Sequence, residues 1–165
     1  PYLFKAVSRL RGSRKAILEL RGSLRPSEKA TYQEMVKRTH MEDRVRLLER
    51  LPHDAMPDWF RTLDVFVLPS VSEGCPNVLM ESLATGVPSV GTTTGAVPEL
   101  IEDRVSGLLV PWGNSQALAV ALTEIMANPG LAEQLGAGGR TRMQRFSVER
   151  EHQAWESVFR ELIEF

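Results

Sequence analysis

The sequence predicts an α/β architecture: an open parallel sheet with helices on both faces, followed by a helical C-terminal tail. Apolar runs of β-type residues alternate with segments of helical period, the pattern of a parallel sheet wrapped by helices. After Val110 the strand-like runs stop and three helical stretches follow. The 165 residues, 42% hydrophobic and 25% charged, suit one globular domain, residues 1–165, that can bury a core.

In chain order the first helix is expected near Tyr2 to Leu10 and the first strand at Ala16 to Leu20. A helix at Glu28 to Thr39 and a strand at Val45 to Leu48 come next, then a helix at Pro57 to Leu63 and a strand at Val65 to Leu68. Val78 to Thr85 reads as a helix, Pro88 to Gly91 as a strand, Val97 to Glu102 as a helix and Gly107 to Val110 as the last strand. In the tail, Asn114-Ser115-Gln116 caps a helix over Ala117 to Met126, and Asn128-Pro129-Gly130 ends it and opens the next. The segment Ala132 to Phe146 contains Gly136, Gly138 and Gly139, which predicts a bent or loosely packed helix. Ser147-Val148-Glu149-Arg150 has the form of a capping start for a final helix with an apolar stripe of Trp155, Val158, Phe159 and Leu162. No repeat, low-complexity tract or long linker divides the chain.

Composition narrows the function. Twenty basic against twenty-one acidic residues give a formal charge of −1, which argues against a dedicated nucleic-acid binder. The single cysteine, Cys75, cannot form an internal disulfide and reads as a small apolar filler in a reducing compartment, since a reactive thiol needs an activating neighbour. No apolar run is long enough to span a bilayer, and Pro1-Tyr2-Leu3-Phe4-Lys5 does not read as a leader. The expectation is a soluble, cytoplasmic protein.

Parallel sheets bind ligands outside the carboxyl ends of their strands, which puts the loops after Leu20, Leu48, Leu68 and Gly91 on one rim. The loop after Val65-Phe66-Val67-Leu68 carries Glu73 and runs through Gly74, Cys75 and Pro76 into a helix that carries Glu81. Helix-start amides lack intrahelical partners and suit a phosphate, while carboxylates suit sugar hydroxyls. Thr92-Thr93-Thr94-Gly95, on the same rim, could meet a ligand or be a solvated turn.

Glu73 and Glu81 have the spacing E-x7-E, with Pro69-Ser70 ahead of Glu73-Gly74, then Pro76-Asn77-Val78-Leu79, Glu81-Ser82-Leu83-Ala84 and Gly86-Val87-Pro88. Thr94-Gly95-Ala96-Val97-Pro98-Glu99-Leu100-Ile101 and Ser106-Gly107-Leu108-Leu109-Val110-Pro111 follow in order. From about Ala16 onward the chain resembles the C-terminal, donor-binding domain of retaining GT-B glycosyltransferases of the large family numbered four. The resemblance implies a Rossmann-like domain, the second half of a GT-B fold. It implies transfer of a hexose from a nucleotide-diphosphate sugar to a saccharide or lipid-linked acceptor, in polysaccharide or glycolipid assembly.

The resemblance also assigns roles. Glu81 would accept hydrogen bonds from the ribose diol, which a charged acceptor strengthens. The backbone amides of Cys75, Asn77, Val78 and Leu79 would meet the diphosphate, with Gly74 leaving room for the sugar. Glu73 would be the catalytic glutamate beside the transferred sugar, read here as an electrostatic stabiliser rather than a nucleophile. Leu51 would offer its backbone to the base and His53 its side chain, although His53 also reads as a surface-loop residue. Glu49 stands where the family usually has glycine, which puts close base packing there in doubt. No cofactor and no metal are expected, because His40, His53 and His152 are scattered in sequence.

An arginine and a lysine that grip the diphosphate in the family have no counterpart in these residues, and neither does the acceptor-binding N-terminal domain. The expectation is therefore a donor-site half, truncated at its N-terminus and inactive alone, whose final helix either packs on its own sheet or crosses to the other domain. Peripheral association of the full enzyme with the inner membrane face belongs to the same set of expectations. The rival readings are a non-catalytic interaction module and a different GT-B enzyme, such as a sugar-nucleotide epimerase or an inverting transferase.

Overall fold

The computed structural model describes residues 2–10 and 16–163; Pro1 lies outside them. The described residues form five strands, paired in parallel within each of two groups: β1 (Leu18–Arg21), β2 (Val45–Leu48), β3 (Phe66–Leu68), β4 (Ser89–Thr92) and β5 (Leu108–Val110). Eight helices accompany them: α1 (Tyr2–Ser8), α2 (Pro26–Arg38), α3 (Met56–Arg61), α4 (Asn77–Thr85), α5 (Val97–Leu100), α6 (Ser115–Ala127), α7 (Pro129–Met143) and α8 (Val148–Ile163). Every expected element is present, with ends displaced by a few residues. The first strand, for instance, starts at Leu18 rather than Ala16.

The strands hydrogen-bond in two groups. β1 pairs with β2, Leu18 opposite Val45, and β4 lies between β3 and β5, with Val90 opposite both Val67 and Leu108. Helices cover both faces because parallel strands need crossovers and bury both sides. On one face α1 and α6, with Val36 of α2, pack over Val90, Leu108 and Val110. On the other, Phe60 of α3, Leu79 and Leu83 of α4 and Val97 of α5 pack over Phe66 and Leu68.

The tail follows its caps. The Asn114 side chain accepts from the amides of Gln116 and Ala117, and Asn128 Oδ1 accepts from the Leu131 amide. Ser147 Oγ accepts from the Arg150 amide at 3.4 Å to open α8.

The glycine-rich segment departs from the loose packing expected of it: α7 runs unbroken over Pro129–Met143 and is tightly packed. A Cβ on Gly136 would stand 2.2 Å from the Gly86 carbonyl oxygen, and one on Gly138 would stand 2.0 Å from that of Val105. The missing side chains let α7 lie directly on the end of α4 and on the Val105 turn.

Nor does α8 pack on the sheet. None of its residues is buried, and Trp155, Phe159 and Leu162 are more than half exposed. Trp155 and Phe159 stack on each other, centroids 5.9 Å apart. Among the described residues no helix is long and apolar enough to cross a membrane.

Candidate functional site

The site is built where β3 hands over to α4. After Leu68 the chain loops through Pro69 to Pro76 and enters α4 from Pro76, whose φ of −78° and ψ of 97° put it in the extended region. The Pro76 carbonyl accepts from the Leu79 amide at 3.0 Å and the Met80 amide at 3.3 Å. Asn77 and Val78 precede that first-turn bond, whereas the Leu79 amide already has the Pro76 carbonyl as a partner. The Leu79 side chain is fully buried, so that residue serves the core. Asn77 and Val78 stand at the positive end of a nine-residue helix, which favours an anion.

Glu81 lies one turn further along α4 and is held there from behind. Ser82 is fully buried, and its hydroxyl lies 3.0 Å from that of Ser89 on β4. Leu79 and Leu83 fix the same helix face in the core. Glu81 is left partly exposed, with Oε1 3.7 Å from Nδ1 of His53. His53 opens a short 3₁₀ turn after β2 and is largely exposed, so it is a surface-loop residue and a neighbour of Glu81 at once. Leu51, His53, Asn77, Val78 and Glu81 all line one cavity of ≈ 1070 Å³.

Glu73, Gly74 and Cys75 lie outside that lining, in the loop ahead of α4. Cys75 is exposed, and its Sγ stands 3.7 Å from Met80 Sδ, so the filler reading fails: the thiol sits on the surface against a thioether. Gly74 has open space where a side chain would be. Glu73 is partly buried and its backbone is anchored from the β4 side. Gly95 has φ of +52°, and a Cβ there would stand 1.8 Å from the Glu73 carbonyl oxygen. Thr92 Oγ1 donates to the Ser70 carbonyl at 2.7 Å, and Thr94 Oγ1 approaches the same oxygen at 3.3 Å. Thr92 and Thr94 thus clamp the acidic loop, so the run is more than a solvated turn.

Two cavity residues escaped sequence reasoning. Arg21, at the carboxyl end of β1, sits over the Trp59 ring with Cζ 4.9 Å from the centroid and donates to the Glu49 carbonyl at 2.8 Å. Trp59 donates in turn to Glu19 Oε2 at 3.1 Å. The signal available was position: Arg21 ends a strand on the binding rim. The Glu49 carbonyl is engaged by this arginine at the place where the family usually has glycine. Among the described residues no three His, Cys, Asp or Glu side chains gather as a metal-binding group.

The family model described as "Glycosyl transferases group 1" matches residues 1–128. The chain belongs to the group 1 glycosyltransferase family. It is similar to a D-inositol 3-phosphate glycosyltransferase of Streptomyces bingchenggensis, 32% identical over 127 residues, covering 77% of this chain and 28% of that protein. In structure it superposes on sucrose-phosphate synthase from Thermosynechococcus elongatus with TM-score 0.87 and 27% identity, covering 98% of this chain and 41% of that one. It also superposes on Anabaena HepE, solved in complex with UDP-glucose, with TM-score 0.85 and 22% identity, covering 95% and 44%. The chain spans under a third of the curated relative and under half of the solved chains. Both likenesses carry the Rossmann-like α/β fold of GT-B glycosyltransferases.

Proposed function

We propose that this chain is the donor-binding half of a retaining glycosyltransferase of the family numbered four. The reaction moves a hexose from a nucleotide-diphosphate sugar to a saccharide or lipid-linked acceptor. The observation that carries the reading is the opening of α4: two first-turn amides, Asn77 and Val78, at the mouth of a cavity that also takes in Glu81, Leu51 and His53.

In this reading the diphosphate rests on the Asn77 and Val78 amides, with the Cys75 amide completing the cradle from the loop. Fixed dipoles aimed at a leaving diphosphate stabilise charge as it develops, without reorganisation. Glu81 accepts from the ribose hydroxyls, and the base lies along the backbone at Leu51 with His53 at its edge. Glu73 faces the hexose and stabilises positive charge on the reacting carbon, with Gly74 leaving room. Anion binding is assigned to amides, so the reading calls for no cofactor or metal ion. HepE, a structural neighbour, was solved with UDP-glucose, and another relative is a lipopolysaccharide core mannosyltransferase of Rhizobium meliloti, which support this donor class and an acceptor in envelope polysaccharide.

The acceptor would be held by a further domain of the complete gene product, against which the exposed stripe of α8 packs. Residues 1–165 alone would then bind donor without transferring sugar, because transfer needs donor and acceptor in register with water excluded. A cytoplasmic protein working at the inner membrane face fits such an acceptor.

Calorimetric titration of the complete gene product with UDP and with GDP tests the reading. One nucleotide should bind, and Glu81→Ala should weaken it by about a hundredfold or more, the loss of two charge-assisted hydrogen bonds. Equal affinity in the variant, or no binding of either nucleotide, would favour a non-catalytic interaction module.

A further inference from the structure

The rim beside Leu51 carries a cation that no carboxylate among the described residues neutralises. Arg21 is the last residue of β1, opposite Leu48 in register, so it stands where β2 runs out into Glu49 and Leu51. Its guanidinium is fixed on two sides. The Trp59 ring lies against Cζ at 4.9 Å, and Nη1 donates to the Glu49 carbonyl at 2.8 Å. Glu19, on the same strand, is committed elsewhere: one of its oxygens accepts from Arg46 at 3.2 Å and the other from Trp59 Nε1 at 3.1 Å. Arg21 Nε is buried without a partner among the described residues. A guanidinium is a planar fork of N–H donors, and the Glu49 carbonyl takes one of them. The second hydrogen of Nη1 and both on Nη2 have no acceptor among the described residues, and Arg21 lines the same cavity as Leu51, His53 and Glu81.

We propose that Arg21 reads the nucleobase of the donor and selects guanine. The inference rests on the donor reading above and adds the identity of the base to it. Guanine carries two adjacent acceptors, O6 and N7, on an edge away from the ribose, and a guanidinium meets both with parallel N–H bonds. Adenine sets an amino donor beside its N7, and uracil offers only O4 on the corresponding edge. Cytosine has an acceptor pair too, but its O2 lies beside the glycosidic bond, where the ribose crowds a planar fork.

The two contacts that fix Arg21 also suit it to this task. An arginine free in solvent gives up rotamer freedom when it binds, whereas one stacked on a ring and bonded to a carbonyl has already lost it in folding. The bond to the Glu49 carbonyl also ties the guanidinium to the backbone just ahead of Leu51, so side chain and base-facing segment keep a set spacing. A lysine at this position would keep the charge but could neither stack in the same way nor present two parallel donors.

Calorimetric titration of the complete gene product with GDP, UDP and CDP tests this, together with base analogues that require no mutation. Inosine diphosphate keeps O6 and N7 but lacks the 2-amino group, and 7-deazaguanosine diphosphate lacks N7. GDP should bind about five- to a hundredfold more tightly than UDP, the discrimination given by one bidentate pair. Inosine diphosphate should keep that advantage, and the 7-deaza analogue should lose most of it. Arg21→Lys should bring GDP down to the affinity shown for UDP and leave UDP itself unchanged. A preference for UDP or CDP, equal binding of GDP and its 7-deaza analogue, or equal losses for GDP and UDP in Arg21→Lys would each overturn the inference. The donor assignment survives any of these results if Glu81→Ala still weakens whichever nucleotide binds, whereas binding of none overturns both.

Discussion

Glu73 and Glu81 have equivalent side chains but different supports, and this decides what each can do. Glu81 sits on a helix locked to the core through Ser82 and Leu83, so its position is set by packing. Glu73 sits on a loop positioned from across the rim by Gly95, Thr92 and Thr94. Gly95→Ala should therefore act on two levels. The left-handed backbone disfavours a side chain by about 1–2 kcal/mol, and the Cβ would collide with the Glu73 backbone, so a total loss of about 2–4 kcal/mol is expected in chemical denaturation. Nucleotide affinity at Glu81 should fall less than turnover does, because the displaced loop carries Glu73. For Glu73→Gln the expectation is a fall in kcat of at least about a hundredfold in the complete gene product, with little change in nucleotide affinity. Turnover within about threefold of normal would remove Glu73 from the transition state.

At the scale of elements, α7 shows how a local rule can point the wrong way. Glycine inside a helix costs roughly 0.5–1 kcal/mol relative to alanine, so propensity alone makes Gly136→Ala and Gly138→Ala stabilising. In the fold their Cβ atoms would lie 2.2 and 2.0 Å from backbone carbonyl oxygens of Gly86 and Val105. Backbone cannot swing aside as a flexible side chain can, and overpacking of this kind costs about 1–3 kcal/mol or more. Both variants should lower the thermal midpoint, whereas alanine at Gly74, which has open space around it, should leave stability unchanged.

The same contrast explains what the sequence could reveal. Strand positions and the caps at Asn114, Asn128 and Ser147 were legible because they depend on local periodicity and local hydrogen bonds. The acidic loop and the start of α4 were legible because a distinctive run of residues marks them. The clamp on Glu73, the seating of α7 and the Arg21–Trp59 stack were not, since each joins residues distant in the chain. The first-turn bond from the Leu79 amide to Pro76 was not legible either, being a matter of geometry, not composition.

For the whole molecule, two features stay open. One is the slot lined by residues of β1 and β3, the other the bare apolar stripe of α8. The slot belongs to the same cavity as Asn77, Val78 and Glu81, whereas no residue of α8 lines that cavity. In the proposed reading the nucleotide site takes its amides and carboxylate from the first turns of α4 and its base-facing backbone from the loop after β2. The central claim is therefore open to direct inspection in a crystal of the complete gene product grown with its preferred nucleoside diphosphate. The account predicts phosphate oxygens within about 2.7–3.2 Å of the Asn77 and Val78 amide nitrogens and both ribose hydroxyls on Glu81. A diphosphate seated on another rim loop, with Glu81 turned away from the ribose, would contradict it.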